Sequence, residues 1–178
     1  MEIVLVAPEI PHNTGCAARL AAAFGLRLHL VQPLGFSLDD HYLKRAGLDY
    51  WPLVELVVHA SWDEFVTKSS RGARLRLFTA RGGTSLFETA FERDDVLVFG
   101  SESRGLPREL LDARPDRRVY VPIRDGIRSL NLANVVCLAA YTAMVRAGIA
   151  LPANDGAYVP HARATEDGRP ASRIASDR

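Results

Sequence analysis

The segment from Ser129 to Arg146 predicts a long helix that is apolar on nearly every side. A helix of that composition is buried over most of its circumference, so the rest of the fold must enclose it. Its first turn nevertheless carries the polar side chains of Ser129, Asn131 and Asn134. Polar groups at the opening of a buried helix either cap it or bind a ligand, which makes this turn a candidate binding site.

Short strand-like runs alternate with helical segments along the first 150 residues. Strands are predicted at 1–7, 26–31, 54–59, 75–80, 96–99 and 119–121, and helices at 13–24, 39–47, 62–66, 107–111 and 129–146. Ser61 and Glu64 have the spacing of a capping box before the third helix. The alternation is typical of an α/β fold with helices flanking a parallel sheet. We expect one domain over residues 1–151 and a disordered, Ala-, Arg- and Pro-rich tail over 152–178.

The composition is that of a globular protein without a membrane span. Hydrophobic residues make up 48% of the 178 residues and charged residues 24%. No apolar run approaches the ~18 residues that would cross a bilayer. Cys16 and Cys137 are too few for a disulfide framework or a zinc site. We therefore expect a cytoplasmic protein that holds no metal.

The basic residues are almost all arginine, with Lys44 and Lys68 the only lysines. The net charge of +1 gives no general attraction for nucleic acid. Arginine nevertheless suits phosphate binding, because its planar guanidinium offers paired donors. Local clusters occur at Arg71, Arg74, Arg76 and Arg81, at Arg114, Arg117 and Arg118, and at Arg124 and Arg128. Each cluster is either a phosphate contact or an ordinary solvated surface.

Two more polar segments follow predicted strands. The first, from Asn13 to Arg19, opens the helix after the first strand, and Arg19 is the only charged residue of that helix. The second, from Gly100 to Gly105, follows the strand at 96–99 and contains Glu102. Its glycine spacing is that of a phosphate-binding P-loop, but no lysine follows the second glycine, which excludes that motif.

Each polar segment also has an ordinary structural explanation. Asn13 and Ser129 could be helix N-caps, the Arg19 side chain could extend from the helix into solvent, and residues 100–105 could be a tight loop. All three segments, however, lie where a strand leads into a helix, the edge at which α/β proteins bind ligands. The sequence therefore predicts one binding site built from all three.

Together the three segments resemble the motifs of the SPOUT RNA 2′-O-ribose methyltransferases. The matching residues are Asn13, Gly15 and Arg19, then Phe99, Gly100, Glu102, Gly105 and Leu106, and then Ser129, Leu130, Asn131 and Asn134. The resemblance extends over residues 2–150. Segments 7–11 and 45–50 are similar to the subfamily that methylates the wobble nucleotide of tRNA.

This resemblance implies an α/β knot, in which helices flank a parallel sheet and the C-terminal segment forms a trefoil knot. It also implies a homodimer that uses S-adenosylmethionine to methylate the ribose 2′-hydroxyl of nucleotide 34, a cytidine or uridine, in tRNA anticodon loops. The residues that would bind the cofactor are Phe78, Thr79, Gly100, Val121, Ile123, Ser129 and Leu130.

The resemblance further implies a set of catalytic residues, which are Arg19, Asn13, Glu102, Ser129 and Asn131. Arg19 would lie near the 2′-hydroxyl and would bind the substrate together with Tyr141. A guanidinium is hardly ever deprotonated in a protein, so we expect Arg19 to stabilise the developing alkoxide and not to act as a base. Tyr141 is equally well explained as a packed aromatic side chain of the long helix.

Two other functions remain open on the sequence. The same pocket could serve ribose methylation at another site in tRNA or ribosomal RNA. The chain could also be a non-catalytic RNA-binding protein, although the presence of Arg19, Glu102, Ser129 and Asn131 favours an enzyme. Binding of S-adenosylmethionine would separate an enzyme from a pure RNA-binding protein.

Overall fold

The computed structural model describes residues 1–38, 50–68, 74–154 and 156, and its strands form a seven-stranded sheet. The strands are β1 (Glu2–Val6), β2 (Arg27–Val31), β3 (Leu56–His59), β4 (Leu75–Thr79), β5 (Thr84–Ser85), β6 (Val96–Phe99) and β7 (Arg118–Tyr120). Their order across the sheet is β3-β2-β1-β6-β4-β7-β5, and every neighbouring pair is parallel. The predicted parallel α/β sheet is therefore confirmed.

Helices cover both faces of this sheet because its central strands are apolar on both sides. The helices are α1 (Pro11–Phe24), α2 (Trp62–Lys68), α3 (Arg108–Asp112) and α4 (Leu132–Arg146). Every residue of β1 and β6 is buried, as expected for the central strands of a doubly covered parallel sheet. One core cluster contains apolar residues of α1 and α4, and the other contains Phe65 of α2 and Leu110 of α3.

Helix α1 begins two residues earlier than predicted, at Pro11. Proline suits the first helical position, because the N–H group that it lacks would have no partner there. The N-cap is Ile10, which makes no side-chain hydrogen bond to the helix. Asn13 therefore lies inside the helix and does not cap it, so its side chain is available for contacts with other segments. The helix ends before Gly25, as predicted.

Helix α4 begins three residues later than predicted. Its N-cap is Asn131, whose side chain accepts the N–H of Asn134 at 3.3 Å. Ser129 precedes the helix and does not cap it. The Ser61 half of the predicted capping box at α2 is confirmed, because Ser61 Oγ accepts the N–H of Glu64 at 3.1 Å, whereas the Glu64 carboxylate accepts the N–H of Ala60.

Helix α4 is buried on only one face within a single chain. Its buried residues are Val136, Ala139, Ala140, Ala143 and Met144. On the opposite side Leu138, Tyr141 and Val145 are 37%, 45% and 59% exposed, and we call these three residues the α4 face. The prediction of burial on nearly every side is therefore wrong for one chain, which leaves an apolar surface without cover.

Some predictions fall outside the described part of the chain. The predicted helix at 39–47 and most of the tail over 152–178, predicted to be disordered, lie outside the described residues. The trefoil knot stays a prediction, although β7 follows β6 in the chain and is inserted between β4 and β5 in the sheet. Among the described helices, none is both long and apolar enough to pass through a bilayer.

Candidate functional site

A cavity of about 260 Å³ opens beyond the ends of β4, β6 and β7, at the carboxyl edge of the sheet. This is the edge where parallel α/β sheets bind ligands. The cavity lining includes all seven residues that the resemblance assigns to the cofactor, namely Phe78, Thr79, Gly100, Val121, Ile123, Ser129 and Leu130. Residues from three separate parts of the chain therefore line one cavity.

Much of the cavity wall is apolar. Phe78 and Phe99 stack with their ring centroids 4.4 Å apart and their planes 20° apart, and both rings belong to the lining. Thr79 and Ser129 add hydroxyl groups to it. An apolar pocket with a small number of polar anchors is typical of cofactor sites.

Gly100 allows the chain to fold back tightly at the end of β6. A Cβ atom at this position would lie 2.0 Å from the carbonyl carbon of Gly105 and 2.1 Å from the nitrogen of Leu106. The turn is possible because residue 100 has no side chain. It closes through a hydrogen bond from the Gly105 N–H to the Ser101 carbonyl at 2.8 Å. The resulting segment, which we call the 100–106 loop, forms one wall of the cavity.

A chain of hydrogen bonds connects the three polar segments. Asn131 Nδ2 donates to Asn13 Oδ1 at 3.1 Å, and Asn13 Nδ2 donates to Glu102 Oε1 at 2.9 Å. The Glu102 carboxylate also accepts the backbone N–H groups of Glu9 at 2.8 Å and Ile10 at 3.3 Å. The structure thus brings together three of the residues predicted to be catalytic, and Glu102 itself lines the cavity.

Arg19 and Tyr141, the predicted substrate-binding residues, do not line the cavity of their own chain. Arg19 is exposed on α1. Its guanidinium lies 4.4 Å from the centroid of the Tyr50 ring, and its Nη2 donates to the Tyr50 hydroxyl at 3.0 Å. Tyr141 belongs to the α4 face, where its ring meets Phe24 edge-on with centroids 4.6 Å apart.

The sequence analysis did not predict the contacts that hold Ser103 in the 100–106 loop. Glu9 Oε2 accepts the Ser103 N–H at 2.9 Å, and Glu9 Oε1 accepts its hydroxyl at 2.6 Å. Arg128 Nη2 donates to the Ser103 carbonyl at 2.7 Å. The hydrogen bonds from Ser103, more than the nearby Arg104 charge, lower the pKa of the Glu9 carboxyl below its usual range. The position of Glu9 just after β1, at the same sheet edge, is the signal that could have identified it.

Several clustered arginines are paired with carboxylates of their own chain. The pairs are Arg74 with Glu92 and Asp94, Arg76 with Asp95, Arg81 with Asp125, Arg117 with Asp116, and Arg118 with Asp112. A phosphate would have to displace these carboxylates. An ordinary solvated surface therefore explains the paired arginines better than phosphate binding does. Arg128 is a clustered arginine that lines the cavity, and Arg104 lines it too.

The chain has clear relatives among characterised proteins. Residues 1–141 match the SpoU rRNA Methylase family. A tRNA (cytidine(34)-2'-O)-methyltransferase from Burkholderia ambifaria is 49% identical over 148 residues, which cover 82% of this chain and 95% of the relative. A protein of the same name from a Polaromonas species is 46% identical over 150 residues, with 83% and 92% covered.

Solved structures agree with the sequence matches. A structure that gives insights into the 2-OH methylation of C/U34 on tRNA has a TM-score of 0.77 at 51% identity, and covers 82% of this chain and 94% of the other. A SpoU methyltransferase from Streptomyces viridochromogenes, in complex with the cofactor AdoMet, has a TM-score of 0.71 over 82% of this chain and 60% of its own. At 23% identity, that second likeness concerns the fold alone. Sequence motifs, topology and relatives agree, and the chain belongs to the SpoU rRNA methylase family.

Proposed function

We propose that this protein transfers a methyl group from S-adenosylmethionine to the ribose 2′-hydroxyl of nucleotide 34, a cytidine or uridine, in tRNA. One observation carries the proposal: hydrogen bonds join three polar segments beside the cavity, in a chain whose match to a relative of that activity is 49% identical and covers 82% of this chain and 95% of the relative. Cys16 and Cys137 are free thiols. Because a reducing compartment keeps thiols free, we place the enzyme in the cytoplasm.

The residues around the cavity fit this cofactor. The rings of Phe78 and Phe99 and the neighbouring aliphatic side chains suit an adenine, and the hydroxyl groups of Thr79 and Ser129 suit its polar parts. Because Gly100 has no Cβ, residues 105 and 106 can fold back against it and complete the wall of the cavity. When bound in the cavity, S-adenosylmethionine would supply a methyl group on a positively charged sulfur. The protein would align that methyl group with the ribose oxygen.

Glu102 orients the groups that must meet in the cavity. Three hydrogen bonds, from Asn13 and from the backbone of Glu9 and Ile10, fix its carboxylate. An ionised carboxylate has about four acceptor positions, so Glu102 can accept one more donor, such as a ribose hydroxyl or a guanidinium. Asn13 and Asn131 act through Glu102 as positioning residues, because neither lines the cavity itself.

The enzyme acts as a homodimer in which the second copy supplies Arg19. The α4 face is apolar and exposed in one chain, and a second copy of the chain would cover it. Arg19 lies outside the cavity of its own chain, on α1, which packs beside α4. Pairing along α4 therefore offers a route by which Arg19 reaches the cavity of the partner. Tyr141 lies on the α4 face that the second copy would cover, so we assign it to the interface and not to tRNA binding.

Methyl transfer would form the bond between the ribose oxygen and the methyl carbon, break the bond from that carbon to sulfur and release the hydroxyl proton to water. Arg19 stabilises the negative charge that develops on the ribose oxygen, and it keeps its own proton. Tyr50 holds the guanidinium through the ring contact and the hydrogen bond described above. Arg19→Lys would keep the charge but lose the planar pair of donors, so we expect turnover to fall about tenfold or more. Full turnover in this variant would contradict the role of Arg19.

Methyl-labelled S-adenosylmethionine and unfractionated tRNA test the proposed function directly. We expect label in the tRNA, and nucleoside mapping should locate it on the 2′-oxygen of nucleotide 34. A tRNA with 2′-deoxyribose at that nucleotide is the matched control, because it lacks the accepting oxygen. Label at another nucleotide of the tRNA, or label only when ribosomal RNA replaces the tRNA in the assay, would identify a different RNA methyltransferase. RNA binding without any heat on titration with S-adenosylmethionine would identify a non-catalytic protein.

A further inference from the structure

Glu9 forms hydrogen bonds to the 100–106 loop through both its side chain and its backbone. The Glu9 carboxylate accepts the Ser103 N–H at 2.9 Å and the Ser103 hydroxyl at 2.6 Å. The Glu9 N–H in turn donates to the Glu102 carboxylate at 2.8 Å. We call these three hydrogen bonds the Glu9 clasp. Two consecutive residues of the cavity wall are thus fixed by one residue that precedes α1.

The backbone of Glu9 is itself held by the segment that follows β2. The Gly35 N–H donates to the Pro8 carbonyl at 2.9 Å. A Cβ atom at residue 35 would lie 2.7 Å from the Glu9 Cα and 2.8 Å from its carbonyl oxygen, so this close approach requires glycine. The clasp is therefore anchored from a second part of the chain and does not depend on the end of β1 alone.

We propose that Glu9 is a positioning residue for cofactor binding, which holds Glu102 and Ser103 in place so that S-adenosylmethionine meets a preformed loop. The inference rests on the proposed function, because its ligand is the cofactor assigned above. Glu102 and Ser103 line the cavity, whereas Glu9 does not. Glu9 therefore acts through these two residues and not by touching the ligand.

The physical reason is the conformational entropy of the loop. A segment that is mobile before binding must be ordered when its ligand binds, and that ordering lowers the affinity. A loop that the Glu9 clasp holds is already ordered in the folded protein, so cofactor binding does not have to order it. Arg128 also holds Ser103, through the Ser103 carbonyl, but Arg128 lines the cavity. Glu9 reaches the loop from outside, so replacing it removes no group from the cavity wall.

Calorimetric titration of the purified protein with S-adenosylmethionine, without RNA, tests the proposal. Glu9→Ala removes both side-chain acceptors, and we expect the dissociation constant to rise about tenfold. Glu9→Gln can still accept the Ser103 N–H and can donate to the Ser103 hydroxyl, so we expect a rise of about threefold or less. Glu88→Ala replaces an exposed glutamate that does not line the cavity, and as the matched control it should bind like the wild type.

Steady-state kinetics distinguishes positioning from a general loss of structure. We expect Glu9→Ala to raise KM for S-adenosylmethionine, while KM for tRNA and kcat at saturating cofactor stay close to the wild-type values. Adding Ser103→Ala to Glu9→Ala should raise KM little further, because both changes break the same hydrogen bond. If Glu9→Ala does not fold, Glu9→Asp replaces it, since its charge is kept but its shorter side chain cannot reach Ser103.

The possible results separate this inference from the proposed function. No heat with the wild-type protein would contradict the proposed function itself. Wild-type binding together with unchanged affinity in Glu9→Ala would overturn the role of Glu9 and leave the function standing. An equal loss of affinity in Glu9→Gln and Glu9→Ala, or a lower Tm with unchanged KM, would also overturn it.

Discussion

Asn13 Nδ2 lies 2.9 Å from Glu102 Oε1, and this contact joins the first turn of α1 to the loop after β6. The Asn13 side chain is available for it because α1 begins at Pro11 and is not capped by Asn13. The same side chain accepts a hydrogen bond from Asn131. A buried amide thus uses a donor and an acceptor at once, which neither a carboxylate nor an apolar side chain can do.

Replacing Asn13 should weaken both the fold and the site. Asn13→Ala leaves polar partners without hydrogen bonds, and we expect the free energy of unfolding to fall by about 1–3 kcal/mol. Asn13→Asp should be less stable still at neutral pH, because a second carboxylate would face Glu102. Urea unfolding followed by circular dichroism measures both effects. His12→Ala, at an exposed residue of the same turn, is the control. Equal stability of Asn13→Asp and Asn13→Ala would contradict the expected repulsion at this contact.

Six of the seven strands were predicted, because the central ones are short apolar runs between turn residues, whereas β5 has only two residues and was missed. The sequence predicts β6 with both ends correct, and the parallel sheet follows from the alternation of strands and helices. Helix starts were harder to predict, since a polar residue such as Asn13 or Ser129 serves equally well as a cap or as a ligand. The position of Pro11, and not the polar residue after it, determines where α1 begins.

The cavity was predictable for a topological reason, but the Glu9 clasp was not. The carboxyl ends of parallel strands converge on one edge, so polar segments after several strands must meet there. Glu9 and Ser103 are 94 residues apart, and their contact depends on the fold of the 100–106 loop, which no local pattern specifies. Similarly, the composition of α4 indicates that apolar residues occupy nearly every side of the helix but cannot say whether the same chain or a second copy covers them.

Mixed dimers should show whether Arg19 serves the cavity of the partner subunit. Arg19→Ala removes the guanidinium, and Ile123→Trp fills the cavity, so we expect each variant to be inactive alone. In a mixed dimer, the intact cavity of the first variant would receive Arg19 from the second. Co-refolding the two variants and measuring methyl transfer should therefore recover activity. Recovery would be absent if Arg19 acts within its own chain.

The α4 face should be needed for dimer formation. Leu138 is 37% exposed in one chain, and Leu138→Asp would place a charge where a second copy covers the surface. We expect this variant to be monomeric by light scattering after size exclusion, and inactive on tRNA. Phe87→Asp changes another exposed apolar residue, outside α4, and should leave the assembly unchanged. A monodisperse Leu138→Asp dimer of wild-type stability would contradict this interface.

A buried network on β1, β2 and β3 should make the stability depend on pH. His29 Nε2 lies 3.2 Å from Glu2 Oε2, and His29 Nδ1 lies 2.9 Å from His59 Nε2. If His29 Nε2 donates to Glu2, then His29 Nδ1 accepts a hydrogen bond from His59 Nε2. The Nδ1 atom of His59 is buried and has no hydrogen-bond partner in the described structure. A protonated His59 would therefore bury an unpaired donor. Burial, the largest cause, holds the pKa of His59 below its ordinary value of 6.5.

The sign of the pH effect follows from this lowered pKa. As the pH falls below 6.5, His59 becomes protonated in the unfolded chain. In the folded chain His59 stays neutral until the pH reaches its lower folded pKa. The free energy of unfolding should therefore decrease as the pH falls through this interval, by at most about 1.4 kcal/mol per pH unit for one proton. Urea titrations at a series of pH values measure the slope. His59→Gln keeps a donor for His29 but cannot titrate, so its slope should be smaller than that of the wild type. His12→Gln, at an exposed histidine, should keep the wild-type slope, and equal slopes in His59→Gln and the wild type would show that His59 is not the titrating group.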